Sequence, residues 1–484
     1  NQSEMPGTPP EKPDGMGPNN SGNEFVAGSV SLTVDFSSCA LTKDQQNIDV
    51  SSLAINDIVS ITFDENGVAT TAYVVTERQN MPQNPNGEIN QGTSANTITT
   101  NGTIENESYS SNSDDENALR IDNATVNFNN INVNKNSGAS SNVENGDFYG
   151  VNAAVLATNN AIVSISKSII KSAVKNGNGV FSYGSNTTVN ITDTTITTTG
   201  DNSGGIQTTG GGTTNAKNLT ITTSGNSSAA IRSDRGGGTV MVDGGCYTTN
   251  GYNSPTIYST ALIDVKNATL IANNSEALVV EGKNSISLTN CTITGNMSDT
   301  LGSSSKINVH NIMLYQSMSG DATIGTSTLS LTNCILNGKN GDMIYVTNTI
   351  ANINLCNSEI TNEDSNAYLL RVTGNDASNG WGNVGENGGQ VTLVASNQQL
   401  NGNMLVDSIS TLDLTLKDNS NFTGTIELTT NGNTTFDNNV FVTIEEGSVW
   451  NLTGDVVISS LTNLGTINYN GYTITLANGT VLGE

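Results

Sequence analysis

The sequence predicts an all-β chain folded as a right-handed parallel β-helix, which is a solenoid of stacked coils. The first observation is a recurring pattern, V-x-L-x-N-x-x-I, in which two alternating apolar residues precede a turn residue and another apolar position. A unit that repeats in this way cannot bury a core alone and must stack on its neighbours. The pattern recurs at residues 126–133, 189–196, 263–270, 286–293 and 329–336.

The second observation is a column of apolar residues that recurs at solenoid spacing. Its members are separated by 22 to 36 residues, most often by 25 or 26, which suits a coil of three short strands and three turns. The longer spacings predict loops inserted at turns, because insertions project outward from the stack. The predicted column contains Val155, Phe181, Ile206, Ile231, Ile257, Val279, Leu314, Ile344, Leu369 and Leu405.

The third observation is residue usage. Val, Ile and Thr dominate the apolar runs, and Gly, Asn, Asp and Ser interrupt them, which favours strands and tight turns. We therefore predict a parallel β-helix over residues 114–428. Before it we expect a Pro/Gly-rich flexible arm or tether (1–23), a small β module (24–78) and a polar linker (79–113). After it we expect a C-terminal β-helix end or cap (429–484).

A turn residue, usually Asn, occupies the same place in successive coils. Asn and Gly enter the left-handed backbone region most readily, and a sharp bend between strands requires that conformation. Stacked amides can also hydrogen-bond from coil to coil. We interpret this column as structural, and we expect the turn at Lys167, which interrupts it, to differ. The column contains Asn130, Asp193, Asn218, Asn267, Asn290, Asn333 and Asn357, with Gly244 in the same place.

A first candidate site lies one residue past the predicted core positions. Side chains alternate across a strand, so these residues should face solvent. Tyr258, Tyr315 and Tyr345 would then form an exposed, interrupted stripe, with Arg232 in the same row. Tyrosine has a flat apolar face and a hydrogen-bonding tip, which suits stacking against sugar rings. The alternatives are an ordinary β-surface ladder and a site covered by an inserted loop.

A second candidate site is a charged cluster. Arg235 and Lys283 align in the repeat two coils apart, at about 10 Å by the strand spacing, and Asp234 and Glu281 lie nearby. A calcium-dependent lyase needs a basic residue and carboxylates for Ca²⁺, which takes six to eight oxygens. Glycoside hydrolysis needs a carboxylate pair. Few acids accompany the basic pair, so structural salt bridges are the preferred interpretation. Calcium binding stays open, and no other cofactor is expected.

The cysteines leave two alternatives. Their number is five, so at least one is unpaired within the chain. Cys291 and Cys334 hold the same repeat position on adjacent coils. A strand spacing of about 4.8 Å allows a disulfide, but a stack of small buried thiols is the preferred interpretation. No Cys/His spacing resembles a zinc site, and the single histidine is His310.

Composition limits the partners. The net charge of −27, from 17 basic and 44 acidic residues, argues against binding to phosphate backbones, so no nucleic-acid partner is expected. No segment approaches the roughly 20 apolar residues of a membrane span. Charged residues make up only 13% of the chain, so its polarity comes mainly from Asn, Thr, Ser and Gly. This composition is typical of β-solenoids and surface proteins.

A resemblance to a known family is carried by five segments, namely Arg235–Val240, Glu281–Ile286, Met313–Ala322, Tyr345–Thr349 and Val406–Thr411. They resemble segments of secreted bacterial β-helix proteins, which are described as adhesin-like and pectate-lyase-like in fold. The resemblance extends from about residue 114 to the C-terminus. It implies a bacterial extracellular or cell-surface location and supplies no catalytic residues. The arm also resembles the tether of lipid-anchored members, although no lipobox cysteine is present.

Three functional hypotheses follow. The first is a non-enzymatic extracellular or cell-surface protein with a structural or adhesive role, which assembles with itself head to tail into filaments. Heterologous contacts that do not close make filaments, and an arm can add a strand to a neighbouring sheet. The alternative is a carbohydrate-binding surface protein that uses the tyrosine stripe and binds surface glycans. The third is a calcium-dependent polysaccharide lyase that uses the charged cluster.

Overall fold

The computed structural model describes residues 41–43, 46–50, 59–63, 69–74, 89–298, 308–317, 321–375, 384–432 and 439–483. From Thr93 onward these residues form a right-handed parallel β-helix, which confirms the predicted fold class. Successive coils stack as parallel strands on three faces. We call them faces A, B and C, in the order in which the chain visits them.

Face A is a sheet of 13 parallel strands. Each residue lies beside its counterpart in the next coil, as Ile206 lies beside Ile231 and Ile231 beside Ile257. Its strands are Thr97–Ile98, Leu119–Asp122, Val155–Thr158, Val180–Tyr183, Ile206–Thr209, Ile231–Ser233, Ile257–Ser259, Leu278–Glu281, His310–Tyr315, Asp342–Thr347, Leu370–Val372, Met404–Asp407 and Ile426–Thr429.

Faces B and C form one sheet of 22 strands, because Gly212–Thr223 and Gly238–Thr249 each run across both faces. The other strands of face B are Gly102–Glu105, Thr125–Asn129, Ile162–Ser166, Thr188–Thr192, Leu262–Lys266, Ser285–Thr289, Thr326–Thr332, Ile350–Cys356, Gln390–Ser396, Thr411–Lys417, Val440–Ile444 and Ser460–Asn463. Those of face C are Ser108–Ser111, Asn132–Lys135, Ile169–Ser172, Thr195–Thr198, Thr269–Ala272, Thr292–Gly295, Ile335–Gly338 and Glu359–Asn362. Face C continues as a separate sheet of four strands, Gln399–Asn401, Asn421–Thr423, Val449–Asn451 and Thr466–Asn468.

The interior is filled by inward side chains from the three faces. On face A an inward row of apolar residues is at most 1% exposed: Leu119, Val155, Val180, Ile206, Ile231, Ile257, Leu278, Ile312, Ile344, Leu370, Met404 and Ile426. Three predicted members of this row lie instead in the outward row, namely Phe181, Val279 and Leu405. The prediction was wrong there because these strands are apolar on both sides, so alternation alone does not select the inward residue. The inward row also contains Leu370 where Leu369 was predicted, and Ile312 where Leu314 was predicted.

The turn column between faces B and C adopts the left-handed conformation. The seven predicted residues have φ between 46° and 56°. The Asn290 amide donates to Asn267 Oδ1 (3.2 Å), and the Asn357 amide donates to Asn333 Oδ1 (2.8 Å). The expectation for Lys167 was wrong, because its φ of 50° matches the column. A residue with a side chain pays about 1–2 kcal/mol to adopt the left-handed conformation. At Lys167 the turn geometry that every coil shares outweighs this cost.

The N-terminal end of the β-helix differs from the predicted boundary. The first coil begins inside the segment predicted as a linker, because Thr93–Ser94 pairs with Glu116–Asn117. At the C-terminal end the coils continue past residue 429. The last sheet contains Val456–Ile458, Ile474–Leu476 and Val481–Leu482, and its final pair is antiparallel.

Within the predicted N-terminal module, four strands form a separate sheet. Their order is Gln46–Ile48, Leu41–Lys43, Ala69–Val74 and Val59–Phe63. The last two are antiparallel, as expected for a hairpin. The predicted arm (1–23) lies outside the described residues.

A single helix occurs among the described residues. Helix α1, Val143–Tyr149, is inserted between a face C strand and a face A strand. The Asn142 side chain caps it by accepting from Asn145 N, and Gly150 ends it with a φ of 82°. No helix in the described part of the chain combines the length and apolarity needed to cross a membrane.

The turn column gives a stability prediction. Replacing Asn290 with Ala places a left-handed φ on a residue that disfavours it. The replacement also removes the side-chain hydrogen bond from Asn290 to Asn267. We expect a loss of about 1.5–3.5 kcal/mol in the free energy of unfolding, from about 1–2 for the conformation and about 0.5–1.5 for the hydrogen bond. Asn290→Gly is the matched control, because Gly adopts this φ without strain. Urea denaturation measures both, and equal midpoints for the two variants would contradict the interpretation.

Candidate functional site

The outward row of face A is where the sequence placed the tyrosine stripe. The register gives this row as Arg120, Leu156, Phe181, Gln207, Arg232, Tyr258, Val279, Met313, Tyr345, Arg371, Leu405 and Glu427. From Leu156 to Tyr345 its members are buried, except that Tyr258 is only partly so. Between Leu156 and Tyr345 the outward surface of this face is therefore covered by other parts of the chain.

The prediction of an exposed tyrosine stripe was wrong. Tyr345 is 2% exposed and Tyr315 is 6% exposed, while Tyr258 packs partly buried against them. Tyr315 does not share the row of the other two. It lies two residues further along its strand, where it pairs with Glu281 and Thr347 on the adjacent coils. The alternative of a covered site describes the structure, because insertions at the turns fold over this face.

Helix α1 covers the first part of the row. Gln207 Nε2 donates to the Asp147 carbonyl oxygen at 2.6 Å, and Thr209 Oγ1 donates to the Phe148 carbonyl oxygen at 2.6 Å. The last carbonyl groups of a helix have no N–H donor within the helix. Two side chains of the sheet therefore supply hydrogen bonds to carbonyl groups at the C-terminal end of helix α1. These bonds fix the height of the helix above the sheet.

Arg232 lies between two carboxylates beneath the helix. Its Nη2 is 3.0 Å from Asp234 Oδ2 and 3.4 Å from Asp147 Oδ1, and all three side chains are buried. Burial acts to lower the pKa of Arg232, but the charges of Asp147 and Asp234 outweigh it and raise that pKa. The guanidinium therefore stays charged and fastens helix α1 to the sheet.

Arg235 joins two covering segments. Its Nε and Nη2 are 3.1 and 2.8 Å from Asp321 Oδ1, and its Cζ lies 4.0 Å from the centre of the Phe148 ring in helix α1. The predicted partner, Lys283, donates its backbone N–H to Thr323 O at 2.7 Å. The sequence therefore identified Arg235 as part of a charged cluster. The carboxylate that pairs with Arg235 is Asp321, which lies in an insertion.

Glu281 accepts hydrogen bonds from three hydroxyl groups. Tyr258 and Ser317 donate to its two oxygens, and Tyr315 Oη donates to Oε2 at 3.1 Å. Burial first, and the Glu281 charge second, raise the pKa of both tyrosines well above the ordinary value. The tyrosines stay protonated as donors, so this network stabilises a fully buried carboxylate.

This arrangement neutralises charges and holds a cover in place. Asp234 pairs with Arg232, and Glu281 is surrounded by hydroxyls, whereas retaining glycosidases place two carboxyl groups about 5 Å apart across an open cleft. Among the described residues, no three or more His, Cys, Asp or Glu side chains are grouped so that they could hold a metal ion. The charged groups that sequence reasoning singled out therefore have structural partners.

A second polar group lies further along face A. His310 is buried against the Tyr345 ring, with ring centres 5.3 Å apart. Its Nδ1 is 2.8 Å from Asn308 O, which can only accept, so Nδ1 carries the hydrogen. Asp342 faces His310 on the next coil and pairs with Arg371. Burial lowers the pKa of His310, against the opposing charges of Glu276 and Asp342.

Sequence reasoning missed Asp147, Asp321 and the role of His310. Asp147 lies in the 19 residues between Lys135 and Val155 where the strand pattern stops, so the interruption could have flagged an insertion. Its partner could not be predicted, because an insertion has no periodicity that places it over one coil. Cys246, Cys291, Cys334 and Cys356 are free, and the middle two are buried, in line with the preferred thiol stack.

Comparisons with known proteins give one likeness to report. No family model matches the chain, and no curated protein matches it. Among solved structures, the chain is similar to one chain of the cryo-EM structure of the Vag8–C1 inhibitor complex, at 13% sequence identity. The match covers 79% of this chain and 95% of that chain, with a TM-score of 0.44. At this level of similarity it supports no functional argument.

The buried ion pairs give a stability prediction. Arg232→Leu leaves Asp147 and Asp234 buried without their cation, and breaking a buried pair in this way costs about 3–5 kcal/mol. The matched control is Lys266→Leu, because the Lys266–Asp264 pair is 3.7 Å long and its side chains are 50% and 28% exposed. Such a pair contributes about 1 kcal/mol or less. Chemical denaturation measures the free energy of unfolding of both variants. Equal losses would show that the Arg232 ion pairs stabilise the fold no more than an exposed pair does.

His310 gives a prediction about pH. Its pKa is lowered in the folded chain, so below about pH 6.5 the unfolded chain binds a proton that the folded chain does not. Stability should therefore fall as pH drops through that value, by at most about 1.4 kcal/mol per pH unit. The fall should level off below the folded pKa. Denaturation at pH 7.5 and 5.5 measures it.

His310→Asn is the matched variant, because it removes the titrating ring and leaves Glu276, Asp342 and Arg371 in place. We expect the difference between the two pH values to shrink in this variant. If parent and variant lose the same stability between pH 7.5 and 5.5, His310 is not the responsible group.

Proposed function

We propose that this protein is a non-enzymatic extracellular or cell-surface scaffold with an adhesive or structural role. The observation that supports the proposal best is the distribution of insertions. The segments 136–154, 296–309, 316–325 and 373–389 all flank face A strands. In repeat proteins, insertions gathered on one face often form the binding face. The insertions over face A are therefore the surface that we assign to adhesion.

Face B differs from face A in the residues of its outward side. The middle outward row of face B is dominated by small uncharged side chains: Thr103, Asn127, Ser164, Asn190, Asn215, Met241, Asp264, Ser287, Ser330, Asn354, Val394, Thr415, Thr443 and Thr462. Asp264 is the one charged residue in this row. Such a surface suits a rigid spacer that carries the insertions on its third face.

The extracellular location is supported by the resemblance of five segments to secreted bacterial β-helix proteins. Lipid anchoring and head-to-tail assembly into filaments belong to the same proposal. A net charge of −27 opposes casual association of copies, so filaments would require specific contacts. Electron microscopy of the purified protein tests assembly directly.

Carbohydrate binding is the second candidate function. Tyr258 is partly exposed, unlike Tyr315 and Tyr345. The Arg235 side chain, in the preceding coil, is 20% exposed. A partly exposed aromatic ring and a partly exposed cation on adjacent coils suit an acidic saccharide, because the ring can stack on the sugar and the cation can pair with its acidic group. The candidate contact is therefore this small surface, not the three-tyrosine stripe.

The experiment measures adhesion and turnover together. The purified chain is applied to an array of surface glycans and to immobilised extracellular proteins, with and without Ca²⁺. We expect retention on at least one surface and no release of unsaturated uronides. Calcium-dependent uronide release that is abolished in Lys283→Ala would establish the lyase and overturn the proposal.

A tyrosine variant separates the two binding alternatives. If glycans are bound at the partly exposed surface, Tyr258→Ala should weaken glycan retention by about two- to tenfold, since aromatic contacts contribute about 0.5–1.5 kcal/mol. Tyr472→Ala is the control, because Tyr472 is 37% exposed and lies outside face A. Equal retention by parent, Tyr258→Ala and Tyr472→Ala would exclude this surface as the glycan site.

A further inference from the structure

Two inserted segments lie over face A, namely helix α1 and the segment that contains Asp321, and we call them the two covers. The two covers meet at one side chain, Arg235. Helix α1 reaches Arg235 through the Phe148 ring, 4.0 Å from the guanidinium carbon. The segment that follows the strand His310–Tyr315 reaches the same guanidinium through Asp321, at 2.8 Å. The residues that meet there are distant in the chain, since Arg235 and Asp321 are 86 positions apart.

The position of this guanidinium is set by both contacts. Its planar group donates two N–H groups to Asp321 Oδ1, while its flat face lies over Phe148, and a rigid planar fork cannot turn toward one partner without leaving the other. The backbone of Arg235 is itself held, because its N–H donates to Asp234 Oδ1 at 2.9 Å. Asp234 in turn pairs with Arg232, which holds Asp147 of the helix.

We propose that Arg235 couples the two covers energetically, so that the helix α1 segment and the Asp321 segment loosen together. Breaking the Arg235–Asp321 ion pair frees the guanidinium to leave Phe148 and removes one of the contacts that hold the helix. This coupling goes beyond an adhesive or structural role, because it makes one insertion respond to events at the other. Coupling between sites usually amounts to a change of about 5- to 150-fold in an equilibrium.

Native-state hydrogen exchange tests the coupling in the full chain. The reporter is the peptide 143–151, where the N–H groups of Gly150 and Val151 donate to Asn145 O. Asp321→Asn keeps the size of the side chain and removes its charge. We expect exchange in the reporter to accelerate about fivefold or more. Exchange in the distant core strand Thr411–Lys417 should not change, which shows that the fold is intact.

Two further variants keep the result decisive. Asp264→Asn breaks the exposed pair with Lys266 and should leave the reporter unchanged. In the Arg235→Leu background, Asp321→Asn should add no further acceleration, because its effect passes through Arg235. The proposal is overturned if Asp321→Asn leaves the reporter at the parent rate. It is also overturned if Asp321→Asn accelerates exchange equally with and without Arg235, because the covers then communicate by another contact.

Discussion

The structure depends on in-register stacking of parallel strands along one axis. Each inward residue lies beside its counterpart in the next coil, so each apolar column forms a continuous wall with at most 1% exposure along face A. Stacking also requires that every coil turn at the same place, which explains why the turn column is left-handed even at Lys167. Because neither the column nor the turns tolerate a shift of one residue, length changes are confined to insertions at turns.

The insertions turn a uniform solenoid into an asymmetric one. Among the described residues, helix α1 and the segment that contains Ser317 and Asp321 contact the outward side of face A. The ion pairs on face A belong to this arrangement, since Asp147 and Asp321 reach the sheet from insertions and meet Arg232 and Arg235 there. Charged groups that resemble a reaction centre in the sequence thus form ion pairs that hold the insertions against the sheet.

The periodic part of the molecule could be predicted from sequence, and the insertions could not. Alternation and a period near 25 residues sufficed for the fold class and for the turn column that contains Asn290. They failed at Phe181, Val279, Leu369 and Leu405, where apolar residues are adjacent in sequence and the register was ambiguous by one residue. Tyr258, Tyr315 and Arg232 were correctly placed on the outward side of face A, but their burial depends on covers without periodicity. For the same reason Asp147 and Asp321 were missed.

The central claim is that the outward side of face A is covered between Leu156 and Tyr345, where Tyr258 is the one partly exposed member of the row. Tyrosine nitration of the folded protein, mapped by mass spectrometry, tests it most directly. Tyr472 is 37% exposed, whereas Tyr315 and Tyr345 are 6% and 2% exposed. The account predicts that Tyr472 is nitrated rapidly, while Tyr315 and Tyr345 are nitrated only after denaturation. Nitration of Tyr315 and Tyr345 in the native protein at the rate of Tyr472 would show that face A is open, and would contradict the account.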